Sequence, residues 1–180
     1  MDVFVLVGGW PGSGKTTLSR SVALALGLAC LGKDEAKEAL MDALGAPEDL
    51  PASRDLGVAA VHAVLRLARS CPGAVVDSTW YPYARPLALA LPGACVEVRC
   101  VLPRDLARSR YASRARDPRH LDAQRSPHEL WAVPVAPLGV GPLVEVDTSG
   151  PVDVPTLARS ILDLVPAGPG QGLTTPCSDS

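Results

Sequence analysis

Apolar and polar positions change their spacing several times along the 180-residue chain, and each change marks an element. Val3-Phe4-Val5-Leu6-Val7 is an unbroken apolar run, as expected of a parallel strand buried on both faces. The spacing turns helical at Leu18, Val22, Ala23 and Leu26, with Gly27 as a stop. Leu28 to Leu31 reads as a short second strand. Gly32-Lys33-Asp34 follows, then a helix with Ala36, Leu40, Met41 and Leu44 on one face, ended by Gly45. Two prolines place Ala46 to Ala52 in a loop. Residues 54–70 form a long apolar helix through Leu56, Ala60, Val64 and Leu67, closed at Pro72-Gly73.

Ala74-Val75-Val76-Asp77 is the third strand, with Asp77 at its carboxyl end. The loop Ser78 to Tyr83 leads into a short helix around Arg85 to Leu91, and Cys95 to Leu102 is the clearest strand. Pro103 can open a helix that carries Arg104, Arg108, Arg110 and Arg114. Residues 116–141 are polar, then proline-rich, and show no usable period. Leu143 to Val146 is a last strand running into Asp147-Thr148-Ser149, and Pro155 to Val165 a terminal helix. The alternation predicts an α/β domain over residues 1–166 with a mainly parallel five-stranded sheet. From Ala167 onward there is almost nothing to bury, so 167–180 reads as a disordered tail.

Between the first strand and first helix lies Gly9-Trp10-Pro11-Gly12-Ser13-Gly14-Lys15-Thr16, which matches the phosphate-binding pattern G-x-x-x-x-G-K-[ST]. Its glycines let the backbone approach phosphates closely, and its N–H groups and the following helix favour an anion. Lys15 supplies a mobile charge for the β/γ phosphates, and the Thr16 hydroxyl is placed to ligate Mg²⁺. With this loop the expected architecture is a three-layer P-loop NTPase fold with an Arg-rich helical lid.

In an open α/β sheet, ligands bind beyond the carboxyl ends of the strands. The P-loop, Asp34, Asp77 and the Arg-rich helix all fall there. Asp77 ends its strand as a Walker-B-type acid does, or caps a turn. Asp34 is placed either to cap its helix or to accept a proton from a substrate hydroxyl. Arg110 and Arg114 share a helix face and are candidates to neutralise a transferring phosphoryl group. Arg104, on the far side of that helix's start, is expected to do little. His120 and His128 are eight apart with no third ligand, a weak case for a metal site. Trp10 and Trp80-Tyr81 either shape an acceptor pocket or pack.

Composition narrows the partners. The net charge is −2, which favours neither nucleic acid nor an anionic membrane. Five cysteines lack C-x-x-C or metal spacing, as in a reduced chain, and no apolar stretch is long enough to span a bilayer. The chain enters its first strand at once, leaving no room for a signal peptide, so a cytoplasmic location is expected.

Gly9 to Thr17, Lys33-Asp34-Glu35-Ala36-Lys37, Asp77-Ser78-Thr79 with Arg85, and Arg110-x3-Arg114 together resemble the small P-loop kinase group. That group includes the kinase domain of phage polynucleotide kinase and many small-molecule kinases, with zeta toxins and chloramphenicol phosphotransferase more distant. The resemblance covers about residues 1–150. It implies a kinase in which Gly9, Pro11, Gly12, Ser13, Gly14, Lys15, Thr16 and Thr17, with Arg110, hold ATP. Thr16 and Asp77 would hold Mg²⁺, and Lys37, Asp77 and Thr79 would face the acceptor. Lys15, Asp34 and Arg114 would carry the catalysis, Asp34 as the base and Arg114 from the lid. The stretch 147–149 would lie near the nucleotide base. Lys37 stands where polynucleotide kinase has an arginine for the acceptor's phosphate. A lysine lacks the planar bidentate fork, so a small-molecule hydroxyl is the expected acceptor rather than a nucleic-acid end. The alternatives are a 5′-hydroxyl polynucleotide kinase and a nucleotide-regulated binding module that hydrolyses ATP.

Overall fold

The computed structural model describes residues 2–131 and 135–166; the predicted tail at 167–180 lies outside them. Five strands, β1 (Val3–Gly9), β2 (Ala29–Gly32), β3 (Ala74–Asp77), β4 (Ala94–Val101) and β5 (Leu143–Asp147), form one sheet. Its order is β2-β3-β1-β4-β5 and every pairing is parallel. β1 is flanked by strands that follow it in sequence on both sides, so the strand order reverses beside it. That reversal opens a crevice at the carboxyl end of β1, where the P-loop begins.

The continuous apolar character of β1 is explained by its two neighbouring layers. Val3, Val5 and Val7 join one cluster with Leu18, Val22 and Ala23 of α1 (Lys15–Leu26) and Leu157 and Ile161 of α7 (Val154–Asp163). Phe4 and Leu6 point the other way, onto Val61, Val64 and Leu65 of α3 (Leu50–Ala68) and Ala88 of α4 (Arg85–Leu89). Alternate residues therefore bury opposite faces, the period-2 rule of a strand. Remaining helices are α2 (Lys33–Leu44), packed on α3, α5 (Arg104–Ser113) and the short α6 (Pro127–Trp131).

Two expectations change in detail. Helix α3 starts at Leu50 rather than 54, because the Asp49 carboxylate accepts from the Ala52 N–H at 2.8 Å and Pro51 lies in the first turn. Proline is tolerated there, since no intrahelical donor is lost. The aperiodic stretch 116–141 contributes 3₁₀ turns at Pro118–His120 and Asp122–Gln124, and then α6. The described side chains of 116–131 are tied mainly by ion pairs, which leave no hydrophobic period.

Candidate active site

The P-loop leaves β1 at Gly9 and closes with the Ser13 N–H donating to Trp10 O at 3.0 Å. Gly12 and Gly14 take φ of 76° and 80°, a region that disfavours side chains. At Gly12 a Cβ would also run into the Ala107 carbonyl and the Tyr111 N–H of α5, so this glycine seats the loop against the lid helix. Lys15 opens α1, and its Nζ donates to Trp10 O at 3.2 Å. Burial lowers the lysine's pKa, an effect opposed by the charges of Asp77 and Asp34.

Asp77 sits at the carboxyl end of β3, in register with Val7 and Gly32, and is 6% exposed. Burial raises its pKa, while Lys15 and the Thr16 hydroxyl pull the other way. Its Oδ1 is buried and has no hydrogen-bond partner among the described residues. An orphaned carboxylate oxygen beside a threonine hydroxyl and a phosphate loop is a donor set that suits a hard divalent cation, so Thr16 and Asp77 fit Mg²⁺.

Asp34 faces this pair from the start of α2. The helix's N-cap is Gly32, with no side-chain cap, so the capping alternative for Asp34 is overturned. Instead Lys33 Nζ lies 2.9 Å from Oδ1 and Arg116 Nη2 lies 2.7 Å from Oδ2. Burial alone would raise the carboxyl's pKa, but Lys33 and Arg116 outweigh it and hold it well below the usual carboxylate range. One turn further, Lys37 is 1% exposed and donates to the Ser53 hydroxyl at 2.6 Å. Burial first, then Lys33, Arg125 and Arg116, bring its ammonium down to about 8.

Residues 114–131 form a strap across the opening. Arg114 follows the end of α5 in extended backbone (φ −76°, ψ 135°), so the helix does not carry it and it does not share a face with Arg110 as expected; it lies 3.1 Å from Asp122 Oδ2 and 4.4 Å from the Tyr111 ring centroid. Arg116 shares Asp122 at 2.9 Å and meets His120 Nδ1 at 3.1 Å, while His120 Nε2 faces Glu38 at 2.9 Å. Both His120 ring nitrogens are thus engaged. Arg110 donates to the backbone carbonyls of Thr148 (2.7 Å) and Ser149 (2.9 Å), fastening α5 to the loop after β5.

Arg104 makes contacts that its place at the start of α5 did not suggest. It donates to Trp131 O and lies 5.6 Å from the Trp10 ring, and Trp131 packs edge-on against both Trp10 and Tyr111. Trp80 packs, donating to Val7 O at 3.1 Å, whereas Tyr81 faces the cavity.

That cavity measures about 400 Å³. It collects Pro11, Lys15, Thr16, Asp34, Lys37, Asp77, Thr79 and Arg114 from the predicted set. Gly9, Gly12, Ser13, Gly14 and Thr17 belong to the loop and its helix but do not line it, and Arg110 is directed at the β5 loop. Residues missed from sequence are Lys33, Ser53, Arg54, Arg116, Asp122, Arg125 and Glu129. Of these, Lys33 left a signal, as the first residue of the Lys33–Lys37 motif beside Asp34.

A parallel sheet with this strand order, a P-loop leading into α1 and a strap over the crevice define the three-layer P-loop NTPase fold, in the form found in small kinases. Residues 4–131 match the AAA domain family, and the chain belongs to it. Uncharacterized proteins of Mycobacterium bovis and Mycobacterium tuberculosis are each 36% identical over 125 residues, covering 61% of this chain. The chain spans about a quarter of the length of these curated relatives (25%). Among solved structures, a Chloroflexus aurantiacus protein provisionally assigned as a kinase superposes with TM-score 0.77 at 29% identity, over 91% of this chain and 98% of that one. Shikimate kinase from Acinetobacter baumannii, in complex with shikimate, gives 0.61 at 20% identity, over 91% and 92%. The Mycobacterium tuberculosis APS kinase, with AMPPNP and APS, gives 0.59 at 20% identity, over 91% and 96%. No helix among the described residues is long and apolar enough to cross a membrane.

Proposed function

We propose that the protein is an ATP-dependent kinase that transfers the γ-phosphoryl group to a hydroxyl of a small molecule. The observation that carries this reading is the meeting of Lys15, Thr16, Asp77, Asp34 and Arg114 around one cavity of about 400 Å³, the size of a small-molecule site. Thr16 and Asp77 would hold the Mg²⁺ of MgATP, whose charge would offset that of the phosphate oxygens. Lys15 and Arg114 add positive charge where negative charge develops. Asp34 stays ionised at any physiological pH, so it accepts a hydrogen bond from the acceptor hydroxyl and orients it. In a loose phosphoryl-transfer transition state, orientation matters more than early deprotonation, which suits so weak a base.

The test is to incubate the protein with γ-labelled ATP, Mg²⁺ and a panel of sugars, hydroxy acids, nucleosides, antibiotic-like alcohols and 5′-hydroxyl oligonucleotides. Label is expected on a small alcohol, and Lys15→Ala is expected to cut transfer by ~10²–10³ with an unchanged circular dichroism spectrum. Label released only as free phosphate would favour the nucleotide-regulated binding module. Label on the oligonucleotide would favour a polynucleotide kinase.

A further inference from the structure

We infer that Tyr111 is a further residue of the phosphoryl-transfer site, its hydroxyl donating a hydrogen bond to an oxygen of the nucleotide's terminal phosphate. The inference rests on the reading of the Lys15 end of the cavity as the nucleotide site. Two buried donors there, the Tyr111 hydroxyl and the Arg114 Nε–H, have no hydrogen-bond partner among the described residues. Both residues line the cavity, as do Pro11 and Lys15 of the phosphate loop. Buried polar groups in folded proteins are nearly always paired, and an orphan carries a desolvation cost that a ligand can offset. A ligand that satisfies two donors beside a lysine ammonium is an oxyanion.

Asp122 is not the missing partner of the phenol. Burial first, and then the charge of Asp122, raise the Tyr111 pKa. That carboxylate, however, is engaged by Arg114 and Arg116 and takes no hydrogen bond from Tyr111. The phenol therefore keeps its proton at physiological pH and acts as a donor. Its place is set by the nucleotide end. The Arg114 guanidinium lies 4.4 Å from the ring centroid, and the Trp131 ring meets it edge-on at 5.8 Å. Its backbone nitrogen lies against the phosphate loop, 3.0 Å from where a Cβ on Gly12 would stand. Lys15 and Arg114 bring charge to the transferring group, whereas a neutral hydroxyl brings direction, since its one O–H serves one oxygen.

Tyr111→Phe is the test, because it removes the hydroxyl and leaves the ring on Trp131 and Arg114. Losing a buried unpaired hydroxyl should leave the melting temperature unchanged or raise it. Calorimetry with Mg²⁺ then compares ADP with the non-hydrolysable analogue AMPPNP, and label transfer is followed at saturating γ-labelled ATP. ADP lacks the terminal phosphate and should bind as it does to the wild type. The preference for AMPPNP over ADP, the rate of transfer, or both should fall about tenfold or more, the worth of one hydrogen bond to a charged oxygen. A fall in either quantity without a lower melting temperature supports the inference. Wild-type preference together with wild-type transfer would overturn it. So would a melting temperature several degrees lower, which would assign the hydroxyl to holding the strap. Label transfer separates the two readings. A Tyr111-dependent preference for AMPPNP with no alcohol labelled removes the kinase and leaves Tyr111 at the terminal phosphate. Transfer to an alcohol with nothing changed by Tyr111→Phe removes Tyr111 and leaves the kinase.

Discussion

The nucleotide end and the acceptor end of the cavity are held by different forces. At the nucleotide end β1 is buried along its whole length, two glycines adopt left-handed φ, and the loop is pressed onto α5 through Gly12. At the acceptor end the strap is tied through shared charges: Asp122 serves Arg114, Arg116 and Arg125, and Arg119 joins Asp117 to Asp42. Packing and backbone geometry fix the first end before any ligand arrives. Ion pairs near water contribute little each and are screened by salt. The Trp10–Trp131–Tyr111 cluster packs the strap against the P-loop.

The strongest way to break this comparison is at Asp34. Asp34→Asn keeps the side chain's shape and removes its charge. The Asp34 side chain is itself 46% exposed and Gly32 caps the helix, so the melting temperature should move by only a few degrees. MgATP should bind nearly as before, because the nucleotide end is built separately. Transfer to the acceptor should fall by ~10²–10⁴. Stopped label transfer with normal nucleotide binding, read in the same preparation, is the expected pair. Transfer near the wild-type rate would take Asp34 out of the reaction, and loss of both would mean that the two ends are not independent.

Arg116 offers a smaller and sharper test. It occupies one oxygen of Asp34 while also binding Asp122 and His120. Arg116→Gln removes one of the two charges that hold Asp34 down, so the acid limb of the kcat profile should move up toward the ordinary carboxylate pKa of about 4. At neutral pH Asp34 remains ionised, and kcat should change less than about tenfold. An acid limb that stays in place would show that Lys33 alone sets the carboxyl.

The same contrast explains what was legible in the sequence. β1, the P-loop and Asp77 announce themselves because buried strands and phosphate loops are written in contiguous residues. The strap is not, since its partners lie far apart: His120 meets Glu38 across 82 residues and Arg119 meets Asp42 across 77. Charge pairs carry no period. The contacts of Arg104 were hidden for a related reason, because only the fold brings Trp131 and Trp10 beside it. Pro51 was misread as a breaker although Asp49 before it supplies the cap that starts α3.

The smallest expected effect concerns Lys37 and requires only the folded protein and its melting temperature. Lys37 shares the cavity with Lys33 and Asp34 of its own helix, with Ser53 and Arg54 of α3, and with Arg116, His120 and Arg125 of the strap. Burial and the surrounding cations place its pKa at about 8 in the fold, against 10.5 ordinarily. Between those values the unfolded chain binds more protons than the folded one, so stability from this group rises with pH across that window. Lys37→Met does not titrate. The wild type should therefore gain melting temperature relative to Lys37→Met as pH climbs from about 7 to about 10, and taking the difference cancels the groups common to both. A gap that stays constant with pH would show that the ammonium is solvated and that the acceptor end carries no uncompensated charge.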